Sequence, residues 1–194
     1  MVYPLLTDRL SIEPLAMRDS AAFVTYRQDP EIAHFQGWDA SSFSQEAAEE
    51  LIGAQPATQL PEPGKWMQLA IHSRVDGVLL GDLALHRLEA GAEGTAGPSF
   101  EIGFTLARSH QGRGFAREAA SRLLEHLFTD GVGARSVDAA TDRRNVSSVK
   151  LLTSLGFQQD QQPGRTTTEL FKGEMVTVDY FQLITRNQSI YHRP

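Results

Sequence analysis

The residues from Gln111 to Ala116 have the composition and the position of an anion-binding turn. They follow an apolar, strand-like run at Ser99–Leu106 and open a helix-like run at Phe115–Phe128. A turn between a strand and a helix presents main-chain N–H groups at the positive end of the helix dipole, where anions bind. Gly112 and Gly114 would let the main chain approach a ligand without an intervening side chain. The pattern therefore predicts a docking site for a phosphorylated cofactor.

Two common phosphate motifs do not fit these residues. A nucleotide P-loop ends in Gly-Lys-Ser/Thr, and a dinucleotide fingerprint needs a third small residue three places after Gly114, where this chain has Arg117. The spacing present is Gln-x-x-Gly-x-Ala, preceded five positions earlier by the apolar Leu106. On the hexapeptide alone, an ordinary strand, turn and helix with convenient glycines is an equally good interpretation.

The elements around this turn are predicted to form one mixed sheet with helices on both faces. The predicted order is strand, two helices, three strands, helix, strand, helix and two strands, with no internal repeat. The predicted strands cover residues 10–13, 65–72, 78–86, 99–106, 136–141, 169–172 and 175–184, and a further strand begins at Gly156-Phe157. The predicted helices cover residues 20–28, 45–54, 115–128 and 145–155. We expect a single domain over residues 1–186 and a C-terminal tail at 187–194.

Composition restricts the function classes. A chain of 194 residues is large enough for one well-packed domain. It has no cysteine, which excludes disulfides, thiolate metal sites and a cysteine acyl intermediate. The net charge of −6 disfavours a nucleic-acid partner, because such proteins usually carry a basic face. No long apolar run or targeting signal is present, so we expect a cytoplasmic protein without a membrane partner.

A second motif lies downstream of the turn. Asn145 is followed three residues later by Ser148, and Leu155-Gly156-Phe157 follows at a fixed distance. By themselves these residues are typical of a helix with an Asn cap, a Ser in its first turn and a glycine stop before a buried aromatic residue.

Together the two motifs resemble those of the GNAT N-acetyltransferase superfamily, in particular its RimJ/RimL-like branch of ribosomal-protein N-terminal acetyltransferases and their relatives. Three further segments are similar to that branch: Thr-Asp-Arg-Leu at residues 7–10, Glu-Ile-Gly-Phe at 101–104, and residues 173–179. The resemblance covers roughly residues 5 to 185. It implies a mixed, mostly antiparallel sheet of about seven strands, in which the parallel strands at 99–106 and 136–141 splay apart.

The resemblance also implies acetyl-CoA as cosubstrate and no metal. The pantetheine arm would lie between the splayed strands, and the amide of Leu106 would polarise the thioester carbonyl. The pyrophosphate would be held by the main chain of the glycine turn, with charge from Arg113 and Arg117. The cofactor-binding residues implied in this way are Leu106, Gln111, Gly112, Arg113, Gly114, Phe115, Ala116, Asn145 and Lys150.

Two catalytic residues follow from the resemblance. Glu101 occupies the strand position of the family's general base, which would take a proton from the amine through water. A surface carboxylate or salt-bridge partner is the alternative interpretation of Glu101. Ser148 would act on the CoA thiolate, either as a proton donor or only as a hydrogen-bond donor to the sulfur, since the 145–155 helix contains no tyrosine.

The acceptor would bind beside Phe35, Trp38 and Trp66, in a pocket formed by the 34–39 loop, the second helix, the Trp66 strand and the last hairpin. Phe35 and Trp38 could equally be packing between the two helices. The six histidines show no metal-ligand spacing.

The predicted activity is transfer of an acetyl group to a primary amine, either a protein N-terminus or a small amine. The alternative is a non-catalytic domain that binds or senses acyl-CoA. The protein could be a monomer or a homodimer.

Overall fold

The computed structural model describes residues 3–55, 60–89, 97–129, 131–162 and 166–184. The predicted tail at 187–194 lies outside these ranges. Within them the strands are β1 Leu5–Leu6, β2 Leu10–Pro14, β3 Trp66–Ser73, β4 Leu79–Arg87, β5 Ser99–Leu106, β6 Ser136–Asp142, β7 Gln158–Gln159, β8 Thr166–Phe171 and β9 Glu174–Ile184. The helices are α1 Ser20–Arg27, α2 Pro30–Ala33, α3 Gln45–Gly53, α4 Phe115–Phe128 and α5 Val146–Ser154.

All these strands belong to one mixed sheet, as the sequence predicts. The order is β1-β2-β3-β4-β5-β6-β9-β7, and β8 also pairs with β9. Each pair is antiparallel except β5 with β6. The described part of the sheet has nine strands where about seven were expected, because β1 and β7 contain only two residues each. Such short strands carry no detectable alternation of apolar and polar residues.

Other differences are one additional short helix and shifted element ends. Pro30 begins the additional short helix α2, because proline is favoured at the first helical position. β8 starts at Thr166 rather than at residue 169. Ser44 caps α3, its side chain accepting from the Ala47 amide at 3.2 Å.

The helices cover the sheet on both faces. On one face, α4 buries Ala119, Leu123 and Leu127 against Phe100 and Ile102 of β5. A smaller cluster lies on the other face, where α1 and α3 pack over the sheet through the buried side chains Phe23, Tyr26, Ala48, Ile52 and Ala70. Successive side chains of a strand point to opposite faces. Glu101, which lies between Phe100 and Ile102, therefore points to the α1 and α3 side.

None of the helices in the described ranges has both the length and the apolar character that a membrane crossing requires.

Candidate active site

The predicted splay between β5 and β6 is present. Their parallel ladder contains only three residue pairs and ends at Glu101 with Asp138. Beyond this point β5 continues along β4 to Leu106, and β6 continues along β9 to Asp142. The two strands therefore separate toward their C-terminal ends. We call the opening between them the wedge.

Hydrogen-bond register shows which main-chain groups of β5 face the wedge. Bonded and non-bonded pairs alternate along an antiparallel ladder. The Ala107 amide donates to the Leu80 carbonyl at 3.0 Å, so the odd-numbered residues of β5 bond to β4. The main-chain groups of Ile102, Phe104 and Leu106 consequently point away from β4 and into the wedge. This is the direction that the predicted role of the Leu106 amide requires.

The same reasoning applies to β6. The Arg143 amide donates to the Thr177 carbonyl of β9 at 2.9 Å, which places the odd-numbered residues of β6 in the bonded pairs with β9. The main-chain groups of Ala140 and Asp142 therefore face the wedge from the opposite side. Both walls of the wedge present peptide groups, as an arm containing amides would need.

The glycine turn has the backbone that the sequence predicts. Gly112 and Gly114 have φ values of +72° and +79°, a region that side-chain-bearing residues seldom adopt. Helical bonding in α4 starts with the bond from the Glu118 amide to the Gly114 carbonyl, at 3.0 Å. The amides of Phe115 and Ala116 precede this bond, so the helix itself does not use them.

Gln111 differs from its neighbours in the turn. Its side-chain amide donates to the Leu106 carbonyl at 3.0 Å. Its main-chain amide donates to the Arg108 carbonyl at 3.2 Å. The side-chain nitrogen and the main-chain amide of Gln111 are thus both engaged within the loop, so this residue braces the turn against the end of β5. The candidate phosphate-binding amides of the turn are therefore those from Gly112 to Ala116.

Charged side chains tether the loop to the rest of the protein. Arg108 donates to both carboxylate oxygens of Asp29, at 3.1 and 3.2 Å, and also pairs with Glu31. The hydrogen bond from Arg108 lowers the pKa of Asp29, so this tether stays ionised at neutral pH. Neither Arg108 nor Asp29 was identified from the sequence, because residues 79 positions apart show no spacing pattern.

The cationic side chains expected near the phosphates are at the surface. Arg113, Arg117 and Lys150 are all exposed. The Arg113 guanidinium carbon lies 4.9 Å from the centre of the Phe115 ring, which holds it next to the start of α4. Lys150 lies on α5, and α5 packs beside α4.

Asn145 and Ser148 lie at the start of α5, just beyond the C-terminal end of β6. The Asn145 side chain accepts from the Ser148 amide at 3.1 Å and caps the helix, as the structural interpretation of this motif predicts. Ser148 is only 8% exposed. The cap fixes the first turn of α5, and with it the Ser148 hydroxyl, at the wide end of the wedge.

Glu101 lies at the narrow end of the wedge in a row of three side chains. Trp66, His86 and Glu101 are cross-strand partners on β3, β4 and β5. The Trp66 and His86 rings stack with centres 4.5 Å apart and an interplanar angle of 12°. His86 Nδ1 lies 3.5 Å from a Glu101 carboxylate oxygen, at the long limit of a hydrogen bond. The sequence analysis missed His86, which only the register of β4 against β5 brings to this place.

A cavity of about 160 Å³ opens beside Glu101. Its polar lining comes from Glu101, Asp138, Asp160, Tyr180 and Gln182. The Gln182 side chain donates to Asp138 at 2.8 Å and so orients that carboxylate. Three carboxylates within one small cavity produce a negative potential that favours a cationic ligand.

The 34–39 loop was predicted to form part of the acceptor pocket, and it packs against α1. Trp38 Nε1 donates to the Arg27 carbonyl at 3.0 Å, and the Arg27 guanidinium carbon lies 3.8 Å from the centre of the Trp38 ring. Phe35 packs edge-on against His34, with ring centres 4.5 Å apart. These contacts make Trp38 a packing residue, which is the alternative interpretation of its role. Of the three substrate-binding candidates, Trp66 is the one that belongs to the Glu101 row, and it is 46% exposed.

The last hairpin contacts this loop. Lys172, at the β8–β9 turn, donates to the carbonyls of Ala33 and Trp38, each at 2.6 Å. At the base of the hairpin, Arg143 donates to both oxygens of Asp179, at 2.9 and 2.7 Å, and lowers the pKa of that carboxyl. These bonds hold the hairpin over the wide end of the wedge.

A buried polar cluster joins α1 to the sheet next to the wedge. Asp82 of β4, which is 1% exposed, accepts from the Tyr26 hydroxyl at 2.5 Å and from Arg27 at 3.0 Å. Burial, followed by the charge of Asp82, raises the pKa of Tyr26 well above its usual value. Tyr26 thus remains a neutral donor, and the cluster serves to fix α1 over β4.

In the described ranges, His, Asp and Glu side chains do not gather in groups of three that could hold a metal ion.

Comparison with known proteins agrees with this geometry. The sequence model of the acetyltransferase (GNAT) domain matches residues 9–158, well over half of the chain. The chain is 27% identical over 182 residues to the uncharacterized N-acetyltransferase p20 of Bacillus licheniformis, covering 94% of this chain and 96% of that protein.

Solved structures show the same fold. One is the spermidine N-acetyltransferase of Vibrio cholerae in complex with CoA and spermine, with a TM-score of 0.75 and 20% identity over 93% of this chain and 98% of that one. Another is RimL, a ribosomal L7/L12 α-N-protein acetyltransferase in complex with coenzyme A, with a TM-score of 0.73 and 16% identity over 92% and 95% of the two chains. By its sequence match and by its splayed strands beside a glycine turn, this chain belongs to the GNAT family of N-acetyltransferases.

Proposed function

We propose that this enzyme transfers the acetyl group of acetyl-CoA to a primary amine by direct attack of the neutral amine on the thioester. The observation that supports this most is the wedge. Its walls turn the peptide groups of Leu106 and Ala140 toward each other, and it opens beside a turn with two left-handed glycines. A pantetheine arm needs amide partners along its length, and a diphosphate needs convergent N–H groups at its end.

In this arrangement the amides from Gly112 to Ala116 hold the diphosphate, while Gln111 braces the turn. Arg113, Arg117 and Lys150 supply exposed positive charge around it. The Leu106 amide donates to the thioester oxygen and stabilises the negative charge that develops there during attack. The Leu106 carbonyl, in the next peptide unit, accepts from the Gln111 side chain, which fixes the end of β5 directly after this amide.

Glu101 is the general base of the proposal. Most amines are protonated at neutral pH, so a proton must leave before attack, and a carboxylate can accept it through water. The Glu101 side chain is 33% exposed and borders the cavity, so a water molecule can reach both Glu101 and an incoming amine. His86 lies against the carboxylate and restricts its position.

Ser148 is placed to act on the leaving sulfur. A buried hydroxyl on a capped first turn can donate a hydrogen bond to a thiolate at the wide end of the wedge. A serine hydroxyl is a weak acid, so we assign to Ser148 a hydrogen bond to the sulfur rather than full proton transfer. Loss of this group should cost at most about 10²–10⁴-fold in rate.

The acceptor is either a small amine or a protein N-terminus, and the cavity favours a small amine that carries positive charge. Glu101, Asp138 and Asp160 would attract a cation. Among the proteins of the same fold, one is named for spermidine and another for a ribosomal protein, so the fold itself accommodates both classes.

Thiol release from acetyl-CoA, measured across a panel of monoamines, polyamines and short peptides, tests the activity. We expect turnover with at least one amine and a preference for polyamines over peptides. Calorimetry with CoA provides the control. Binding of CoA without thiol release for any amine would identify a non-catalytic acyl-CoA-binding domain, and absence of CoA binding by folded protein would contradict the site itself.

A further inference from the structure

The N-terminal segment at residues 7–9 is fastened to the first turn of α4. The Thr7 hydroxyl donates to Glu118 Oε1 at 2.6 Å. Arg9 contacts the same carboxylate three times, through Nε at 2.7 Å, through Nη2 at 2.5 Å and through its main-chain amide at 3.2 Å. We call this group of contacts the Arg9 latch. Residues more than 100 positions apart in the chain are thereby joined at the start of one helix.

Arg9 also contacts the glycine turn directly. Its Nη1 donates to the Arg113 carbonyl at 3.1 Å. Its guanidinium carbon lies 4.6 Å from the centre of the Phe115 ring. A Cβ atom added to Gly114 would lie 3.5 Å from Arg9 Nη2. The guanidinium therefore lies beside the last peptide of the turn, next to the amides expected to bind the diphosphate.

Glu118 creates an electrostatic difficulty for an anion site. A carboxylate in the first turn of a helix is attracted to the positive end of the helix dipole, as a phosphate is. Partial burial raises the pKa of Glu118, but hydrogen bonds from Thr7 and Arg9 outweigh it and leave the pKa below its usual value. Glu118 is thus ionised at neutral pH, and without a cation beside it the carboxylate would repel the diphosphate.

We propose that Arg9 is a positioning residue for the diphosphate of CoA, acting in two ways. By binding the Arg113 carbonyl it holds the Arg113–Gly114 peptide, and so the direction of the following amides. By pairing with Glu118 it neutralises the carboxylate that would oppose the anion. This inference rests on the proposed function, because it presumes that the turn binds a diphosphate.

The test compares an acetyl donor that carries the diphosphate with one that does not. Acetyl-CoA has the diphosphate and the 3′-phosphoadenosine attached to it, whereas S-acetylpantetheine has the same thioester and arm and lacks both. For Arg9→Gln we expect kcat/KM with acetyl-CoA to fall about tenfold, the loss typical of one hydrogen bond to a charged group, and kcat/KM with S-acetylpantetheine to change less than twofold. Arg9→Lys keeps the positive charge but lacks the planar guanidinium with its several N–H donors. Its kcat/KM with acetyl-CoA should therefore lie between those of the unmodified protein and Arg9→Gln.

Arg18→Gln is the matched control. Arg18 also pairs with a glutamate, Glu13, at 2.9 Å, and its Nε lies 3.8 Å from Asp19. These contacts involve neither the glycine turn nor α4. The Arg18→Gln variant should leave both donors unaffected. If Arg9→Gln lowered kcat/KM equally for the two donors, the role of Arg9 would be general folding support and the inference would be wrong.

The double variant Arg9→Gln/Glu118→Gln separates the neutralisation of Glu118 from the positioning of the Arg113–Gly114 peptide. It also provides a test if Arg9→Gln alone folds poorly. Removing the unpaired carboxylate should restore CoA affinity, measured by calorimetry, by about threefold over Arg9→Gln. A double variant that bound CoA no better than Arg9→Gln would exclude the electrostatic part. Failure of the unmodified protein to bind CoA would instead contradict the proposed function.

Discussion

The proposed cofactor side and the proposed acceptor side of this site are built differently. On the cofactor side the donors are peptide groups of one short segment, Gly112 to Ala116, and the side chains nearby mainly hold that segment in place. On the acceptor side the polar groups are side chains from separate strands, such as Glu101 of β5 and His86 of β4.

This difference has a physical consequence for substitution. A main-chain site depends on φ and ψ values, so any residue that can adopt them preserves the donors, and only glycine adopts these readily. A side-chain site depends on functional groups, so a single conservative change removes the chemistry and leaves the backbone intact. The following predictions test that contrast, from the largest expected effect to the smallest.

Glu101→Gln should have the largest effect. It removes the proposed base without changing side-chain size, so kcat should fall about 10²–10⁴-fold while the KM for acetyl-CoA stays within about twofold. The increase of kcat with rising pH should also flatten. Steady-state kinetics across pH measure both.

Asp138→Asn, in the neighbouring wall of the same cavity, is the control and should mainly raise the KM for the amine. If the pH profile of Glu101→Gln were unaltered, another group would be the base.

Gly112→Ala should raise the KM for acetyl-CoA about tenfold with little change in kcat. The added Cβ would meet no protein atom within 4 Å, so a loss of acetyl-CoA affinity would report contact with the ligand rather than a clash inside the protein. Gly77→Ala is a closely matched control, because Gly77 has the same φ of +72° and equally open surroundings in the β3–β4 turn.

Both alanine variants should lose a similar amount of unfolding free energy, about 1–2 kcal/mol, from the left-handed backbone. Only Gly112→Ala should lose acetyl-CoA affinity. Equal KM values in the two variants would mean that the turn does not contact the cosubstrate. Gly114 is less suited to this test, since a side chain there would also meet Arg9.

His86→Gln should lower kcat about three- to tenfold, since it removes one long hydrogen bond to Glu101 and the ring that stacks on Trp66. Trp66→Phe, which keeps an aromatic partner for His86, should change kcat less than twofold. The two variants are compared at saturating acetyl-CoA. A His86→Gln enzyme with unchanged kcat would show that Glu101 needs no support from β4.

Low pH should reduce the stability of the protein by protonating Glu118 and so weakening the Arg9 latch. Because the folded pKa of Glu118 lies below its unfolded value, the latch contributes stability above the unfolded pKa of about 4.3 and loses it as pH falls through the folded pKa. Asp179 on the last hairpin follows the same rule. The melting temperature of the unmodified protein should decrease as the pH is lowered below about 4.5. That of Glu118→Gln should decrease less steeply. If the two plots of melting temperature against pH ran parallel, the latch would not contribute to stability.

Much of the fold follows from local sequence signals. The turn at residues 111–116, the helix Phe115–Phe128 and the strand Ser99–Leu106 were predicted with the bounds observed, because glycine conformation and apolar periodicity are properties of neighbouring residues. The parallel pairing of the strands at 99–106 and 136–141 was predicted from the family resemblance. The local signals predicted a strand starting at Gly156-Phe157, where β7 lies, but they did not predict β1, whose two residues form a strand only because β2 offers a partner.

The site shows the same division. The sequence by itself determined the glycine turn, the Asn145 cap and the family, since each depends on residues close together in the chain. Tertiary structure decided that Arg9 and Glu118 support the turn, that Gln111 braces it, that Trp38 packs on Arg27, and that His86 lies against Glu101. Those contacts depend on strand register and helix docking, which arise from burial of the whole core and leave no spacing pattern in the sequence.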